Sequence, residues 1–147
     1  MRALDQGAAT RRYWRCPPRY AKEERVSLSG TSRVVLVVED EWAVRCMIAQ
    51  ELRSAGCDVL EASTAEAAIA YLQAGHRVDV VFTDIQLAGA LSGWDVAEQF
   101  RAVRADVPII YTSGNSVDRS RRVADSLFFE KPYSPDTVVE ACEKMVR

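Results

Sequence analysis

Several short apolar runs in this 147-residue sequence end on residues able to hold a cation or a phosphate. Val34–Val38 is followed by Glu39, Asp40 and Glu41, and residues 78–83 by Asp84. Thr112, Ser113 and Gly114 close the run that starts at Val107, and Leu127, Phe128 and Phe129 lead into Glu130, Lys131 and Pro132. Carboxylates brought together repel one another, and a hard cation relieves that repulsion. Mg²⁺ suits such a place because it takes a few carboxylate oxygens, keeps waters and accepts phosphate oxygens. Lysine adds a compact charge with three donors, fit for a phosphate or for an acidic side chain when no phosphate is bound. Each acid alone could be a solvated loop charge or a complement to a helix N-terminus. Acids, a hydroxyl and a lysine at successive run ends are specific where each member is weak.

These residues can meet only if the runs are neighbouring strands. Val34–Val38 is continuously apolar and β-branched, the mark of a strand buried on both faces. Residues 57–61, 78–83, 107–112 and 127–129 read as four more strands, with Pro108 tolerated near a strand start. Between them Val44, Ile48, Leu52 and Ala55 recur at helical spacing, and Gly56 suits the left-handed position that ends a helix. Thr64 is an N-cap for a helix burying Ala65, Ala68, Ile69 and Leu72 and closed by Gly75. A loop with Gly89 and Gly93 precedes a helix carrying Val96, Phe100 and Val103 on one face. Residues 115–124 form at best a weak polar helix, and the last helix starts at Ser134-Pro135 and buries Val138, Ala141, Cys142 and Met145. Five strands alternating with five helices predict an open, doubly wound α/β fold with a five-stranded parallel sheet. Ligands bind such sheets outside the carboxyl ends of the strands, where these acids, the hydroxyl and the lysine fall.

Composition narrows the function. The chain is 48% hydrophobic and 27% charged with a net charge of −2, so it has a core and lacks the basic excess of a nucleic-acid binder. No run approaches the roughly 18 apolar residues of a membrane span, and no secretory signal follows the first arginines. Cys16, Cys46, Cys57 and Cys142 lack CxxC spacing and have one histidine, His76, for company. Zinc and a disulfide framework are therefore not expected; reduced, packed thiols in a cytoplasmic protein are. His76 reads as a solvated turn residue, and Trp42 and Trp94 as packing residues. Residues 1–29, with seven Arg/Lys and Pro17-Pro18, read as a flexible basic extension ahead of a domain at 30–147. Trp14 and Tyr20 there show no pattern for nucleic acid.

Val37-Val38-Glu39-Asp40-Glu41, Val81-Phe82-Thr83-Asp84, Tyr111-Thr112-Ser113-Gly114 and Glu130-Lys131-Pro132 resemble the motifs of response-regulator receiver domains of two-component signalling. The resemblance runs from about Arg33 to Arg147 and implies a flavodoxin-like sheet of order 2-1-3-4-5. It implies that Asp84 is the phosphoacceptor and that Mg²⁺ is held by Asp40, Glu39, Asp84 and the backbone carbonyl of Gln86. Ser113 is similar to the hydroxyl that bonds the phosphoryl group and moves with it, and Lys131 to the family's lysine before a cis bond to Pro132. Phe128 falls where the family has its switch aromatic, and Gln86 and Asn115 where dephosphorylation is modulated. The sequence departs from the family at Glu39, where Asp is usual, and at Gly93, one residue further from Asp84. The Gly89 loop lacks a common proline, Phe128 lacks a tyrosine hydroxyl, and little room is left for a helix between Ser113 and Lys131.

The resemblance further implies a phosphorelay protein that takes its phosphoryl group from a sensor histidine kinase or a histidine phosphotransfer protein. It implies self-phosphorylation chemistry rather than turnover of a free substrate. With one helix after Pro132, a stand-alone regulator without an output domain is expected, acting on a downstream protein as a monomer or a phosphorylation-dependent dimer. A pseudo-receiver would lack one of the acids or the lysine, and none is missing. An aspartyl phosphatase commonly carries a second acid two residues after its nucleophile, where this chain has Gln86. A flavin module would not place acids after its first strand.

Overall fold

A computed structural model describes residues 32–146 of the chain, so the segment 1–29 and its Trp14 and Tyr20 lie outside the described residues. The chain runs β1 (Val34–Val38), α1 (Trp42–Ser54), β2 (Asp58–Ala62), α2 (Ala65–Gln73) and β3 (Val80–Asp84). It continues through α3 (Gly93–Val103), β4 (Ile109–Ser113), β5 (Leu127–Glu130) and α4 (Pro135–Met145). All strand pairs are parallel, in the order β2-β1-β3-β4-β5. The chain starts in the middle, moves outward to β2 and returns past β1 to β3. The crevice between the carboxyl ends of β1 and β3 is therefore the switch point, with Val38 opposite Thr83 in register.

Continuous apolar strands arise because both faces are covered. Val35, Val37, Val80, Phe82 and Ile110 face α1 and α4, where they meet Ile48, Leu52, Val138 and Cys142. Leu36, Val38, Val81, Ile109 and Tyr111 face α2 and α3, where they meet Ala65, Ala68, Val96, Ala97 and Phe100. The alternation of one run between two cores is the period-two geometry of a strand. Gly56 and Gly75 follow the α1 and α2 C-caps with φ of +89° and +76°, as their spacing predicts. Thr64 caps α2 by accepting the Ala67 N–H at 3.1 Å. Thr64→Ala is expected to cost about 1 kcal/mol, read from the urea midpoint at unchanged slope.

Four expectations are corrected. Four helices form among the described residues, not five: the segment between β4 and β5 contains no helix. There Asp118 takes the Ser120 N–H and hydroxyl, both at 2.9 Å, which supplies the backbone with a local alternative to a helical turn. The segment is fastened by its arginines instead. Arg121 grips Asp95 and Glu98 of α3 at 2.8 and 2.7 Å, and Arg119 reaches Glu130 at 2.7 Å. Val103 is 68% exposed, because α3 turns its last residue away from the sheet, and Trp42 is 53% exposed at the start of α1. Trp94 does pack, its ring 4.6 Å from that of Tyr111, and His76 lies in an exposed turn beside Tyr71. Cys57 and Cys142 are free and buried, as expected; Cys46 is disulfide-bonded, against the expectation of reduced thiols. Among the described residues no helix is long and apolar enough to cross a membrane.

Candidate functional site

Glu39 leaves the end of β1, and Asp40 follows on the turn into α1; Asp84 is the last residue of β3. Their carboxylates offer oxygens that all lie within 4.8 Å of one another. Glu39 is 1% exposed and Asp84 5%, whereas Asp40 is open to solvent. Lys131, just after β5, reaches across the sheet edge and bridges the two buried acids, its Nζ 2.7 Å from Asp84 Oδ2 and 3.1 Å from Glu39 Oε2. The peptide bond from Lys131 to Pro132 is cis. Burial opposes the ammonium charge, but hydrogen bonds to Asp84 and Glu39 outweigh it and raise the lysine above its ordinary range. Burial, with the charge of Asp84 adding to it, pushes the Glu39 carboxyl up to about 7 against the pull of the Glu41 N–H and Lys131.

The remaining polar groups hold these side chains. Glu41 N–H donates to Glu39 Oε1, Gln86 N–H to Asp84 Oδ1 and Ala88 N–H to Asp40 Oδ2, each at 3.1 Å. Across the mouth, Asn115 Nδ2 donates to Gln86 Oε1 at 3.0 Å, so the two residues expected to act together touch. Ser113 is 2% exposed; its hydroxyl donates to the Asn115 carbonyl at 3.2 Å and accepts its N–H at 3.3 Å, both long. Its carbonyl accepts the Lys131 N–H at 2.9 Å, which ties the lysine to the end of β4. Phe128 is not among these groups. It lies opposite Tyr111 in register, half-buried, with the Arg119 guanidinium 3.8 Å above its ring.

Sequence reasoning missed two parts of the site. Gly93 stands not in the loop but as the first residue of α3, donating its N–H to Ile85 O at 2.9 Å. A Cβ there would lie 2.1 Å from the Asp84 carbonyl oxygen, so only glycine lets the helix sit against the strand end that carries Asp84. The second is Arg45 of α1, whose guanidinium donates to the Glu39 carbonyl at 2.8 Å. Ser92 and Asp95, three apart, were the available signal for where α3 begins. The Asp95 carboxylate takes the Ser92 N–H at 2.7 Å and its hydroxyl at 3.0 Å. That N–H and Arg121 hold the Asp95 carboxyl below its ordinary range.

A buried acid pair bridged by a lysine at the switch point of a doubly wound sheet defines a phosphoryl-handling α/β domain. The family model for the response regulator receiver domain matches residues 35–143, which include the whole cluster. The chain belongs to that family and is a receiver domain of two-component signalling, with the family's phosphoacceptor role. It is 35% identical over 140 residues to the sensor kinase CckA of Brucella abortus, covering 86% of this chain and 15% of that protein. To the autoinducer 1 sensor kinase/phosphatase LuxN of Vibrio harveyi it is 26% identical over 113 residues, covering 77% and 13%. The chain thus spans a small part of these relatives' length. Among solved structures it is similar to a response regulator receiver protein from Sinorhizobium medicae (TM-score 0.75, 30% identity, 78% of this chain and 94% of that one). It is also similar to the receiver domain of the hybrid histidine kinase CckA (TM-score 0.65, 28% identity, covering 78% and 99%). Receiver domains bind Mg²⁺ through an acidic pocket, and three clustered carboxylates, two of them buried, are a donor set that fits it.

Proposed function

We propose that Asp84 is the residue phosphorylated, with Glu39, Asp40, Asp84 and the Gln86 carbonyl holding Mg²⁺. The observation that carries this reading is the Asp84 carboxylate itself: nearly buried, oriented at one oxygen by the Gln86 N–H and at the other by Lys131. An Asp84 oxygen attacks the phosphorus of a phosphohistidine on a sensor histidine kinase or a histidine phosphotransfer protein. The O–P bond forms as the P–N bond breaks, and the electron pair leaves with the imidazole nitrogen. Transfer of this kind needs positioning and charge neutralisation above all. Bound among the acids, Mg²⁺ would neutralise charge on the transferring oxygens. Lys131 exchanges its bond to Asp84 for one to the phosphoryl group, and Ser113 gives up its long bonds to Asn115 to donate there too. Gln86 and Asn115, already joined across the mouth, stand where they control access of water to the product.

The phosphoryl group brings close to two negative charges. Drawing Ser113 inward changes the packing between β4 and β5, so Phe128 and the segment 115–126 are the surface that switches. The described residues hold one folded unit, and its output in this reading is a contact made by that surface with a downstream protein, as a monomer or a phosphorylation-dependent dimer. Incubation with acetyl phosphate tests the chemistry: one phosphoryl group per chain is expected by intact mass with Mg²⁺, and none with a chelator. Labelling that ignores the chelator would remove the metal from the account.

Metal affinity should depend on pH. A carboxyl raised to about 7 keeps its proton in the folded state between about 4.5 and 7, and the cation must displace that proton. Below the midpoint each pH unit should therefore change the Mg²⁺ dissociation constant by up to about tenfold, levelling off above about pH 8. The sign is tighter binding at higher pH. Conversely, the stability that the retained proton gives the metal-free protein is full below about pH 4.5 and lost as pH rises through 7. Calorimetric titration at about pH 6 and pH 8 reads the first effect; equal affinities would contradict it.

A further inference from the structure

Beyond the strand bond from Glu39 N–H to the Ala62 carbonyl at 3.0 Å, Glu39 and Asp40 are anchored at four points, and three of them compete with a cation. Lys131 Nζ and the Glu41 N–H occupy the two Glu39 carboxylate oxygens, and the Ala88 N–H occupies Asp40 Oδ2. A bound cation must take oxygens from this set, so these bonds loosen when it enters. The fourth anchor is different. Arg45 donates from Nη1 to the backbone carbonyl of Glu39 at 2.8 Å, and that carbonyl belongs to the peptide joining Glu39 to Asp40. The Arg45 side chain is only 12% exposed, and its Nε lies 3.8 Å from Glu61 Oε2 on β2. Glu61 in turn is held by Arg53 at 2.9 Å. A planar guanidinium serves a carbonyl and a carboxylate at once, which an ammonium on a flexible stem does less well.

We infer that Arg45 is a positioning residue for cation binding: it fixes the Glu39–Asp40 peptide while the carboxylates of that pair exchange their partners for Mg²⁺. The inference rests on the reading of the acid cluster as the Mg²⁺ site. Arg45 touches neither the cation nor the phosphoryl group, so its effect falls on metal affinity and not on the chemical step. Outer partners of metal ligands typically change affinity by 10- to 100-fold.

The test titrates Mg²⁺ into wild type, Arg45→Met, Arg45→Lys and Glu61→Gln, read by calorimetry and by the rate of acetyl phosphate labelling at each Mg²⁺ concentration. Arg45→Met should raise the half-saturating Mg²⁺ concentration about tenfold in both readouts. The labelling rate at saturating Mg²⁺ should stay within about twofold of wild type, because the nucleophile and Lys131 are untouched. Arg45→Lys should recover part of the shift, and Glu61→Gln, which leaves Arg45 in place with one partner fewer, should show a smaller shift of the same sign. Wild-type half-saturation in Arg45→Met overturns the inference, as does a lowered maximal rate at unchanged half-saturation. Should Arg45→Met fail to fold, Glu61→Gln decides by the same criterion. Failure of the wild-type chain to bind Mg²⁺ or take up label would overturn the Asp84 reading itself, a distinguishable outcome.

Discussion

Asp84→Asn is expected to bring acetyl phosphate labelling down to background while the fold survives. The side chain keeps its shape, and the amide oxygen can still accept the Gln86 N–H that Asp84 Oδ1 accepts at 3.1 Å. What disappears is the anionic nucleophile and one of the two bonds that hold Lys131. Lys131 remains paired with Glu39 at 3.1 Å, so no buried charge is left alone. The charge of Asp84 contributes to the raised Glu39 carboxyl, so the variant should lower that carboxyl toward its ordinary value. Mg²⁺ binding should weaken with the loss of one ligand. Circular dichroism of wild-type shape together with absent labelling is the expected pair of results. Labelling at the wild-type rate would place the phosphoryl group elsewhere.

Gly93→Ala is expected to destabilise the chain by about 3 kcal/mol or more, lowering the thermal midpoint by on the order of 10 °C. The backbone conformation is not the reason, since Gly93 opens a right-handed helix. Space is. The added carbon would stand 2.1 Å from the Asp84 carbonyl oxygen and 2.9 Å from the Asp84 carbonyl carbon and Ile85 Cα, all of them backbone atoms. No rotamer change relieves such a contact, so α3 must move away from the end of β3. That movement displaces Trp94, Val96 and Phe100 from the core and shifts the strand end that carries Asp84. Loss of stability and slower labelling should therefore appear together. A thermal midpoint within a few degrees of wild type would show that the helix yields without cost.

The sheet was legible because buried parallel strands leave a plain mark: Val34–Val38 could only be a strand covered on both sides, and the acids after it had only one edge to meet at. The order of strands came with the motif resemblance and is the order observed. The carboxyl ends of β2, β3, β4 and β5 fell one residue later than expected, so Asp84 and Ser113 close their strands instead of following them. What stayed hidden depended on distant partners. Gly93 looked like loop punctuation because its constraint is an atom nine residues back in sequence, and Arg45 drew no reading at all because a backbone carbonyl advertises nothing in sequence. The missing helix between β4 and β5 was half visible in its scarcity of apolar residues. Its replacement by Arg119 and Arg121 contacts required knowing where Glu130, Asp95 and Glu98 lie.

The central claim is that one carboxylate, that of Asp84, receives the phosphoryl group. Reduction of the labelled wild-type chain with borohydride converts an aspartyl phosphate to homoserine, and peptide sequencing by mass spectrometry then reads the position. Homoserine at residue 84 alone is the predicted result; homoserine at residue 40, reduction of the acyl phosphate at Glu39, or no reduced residue at all would contradict it.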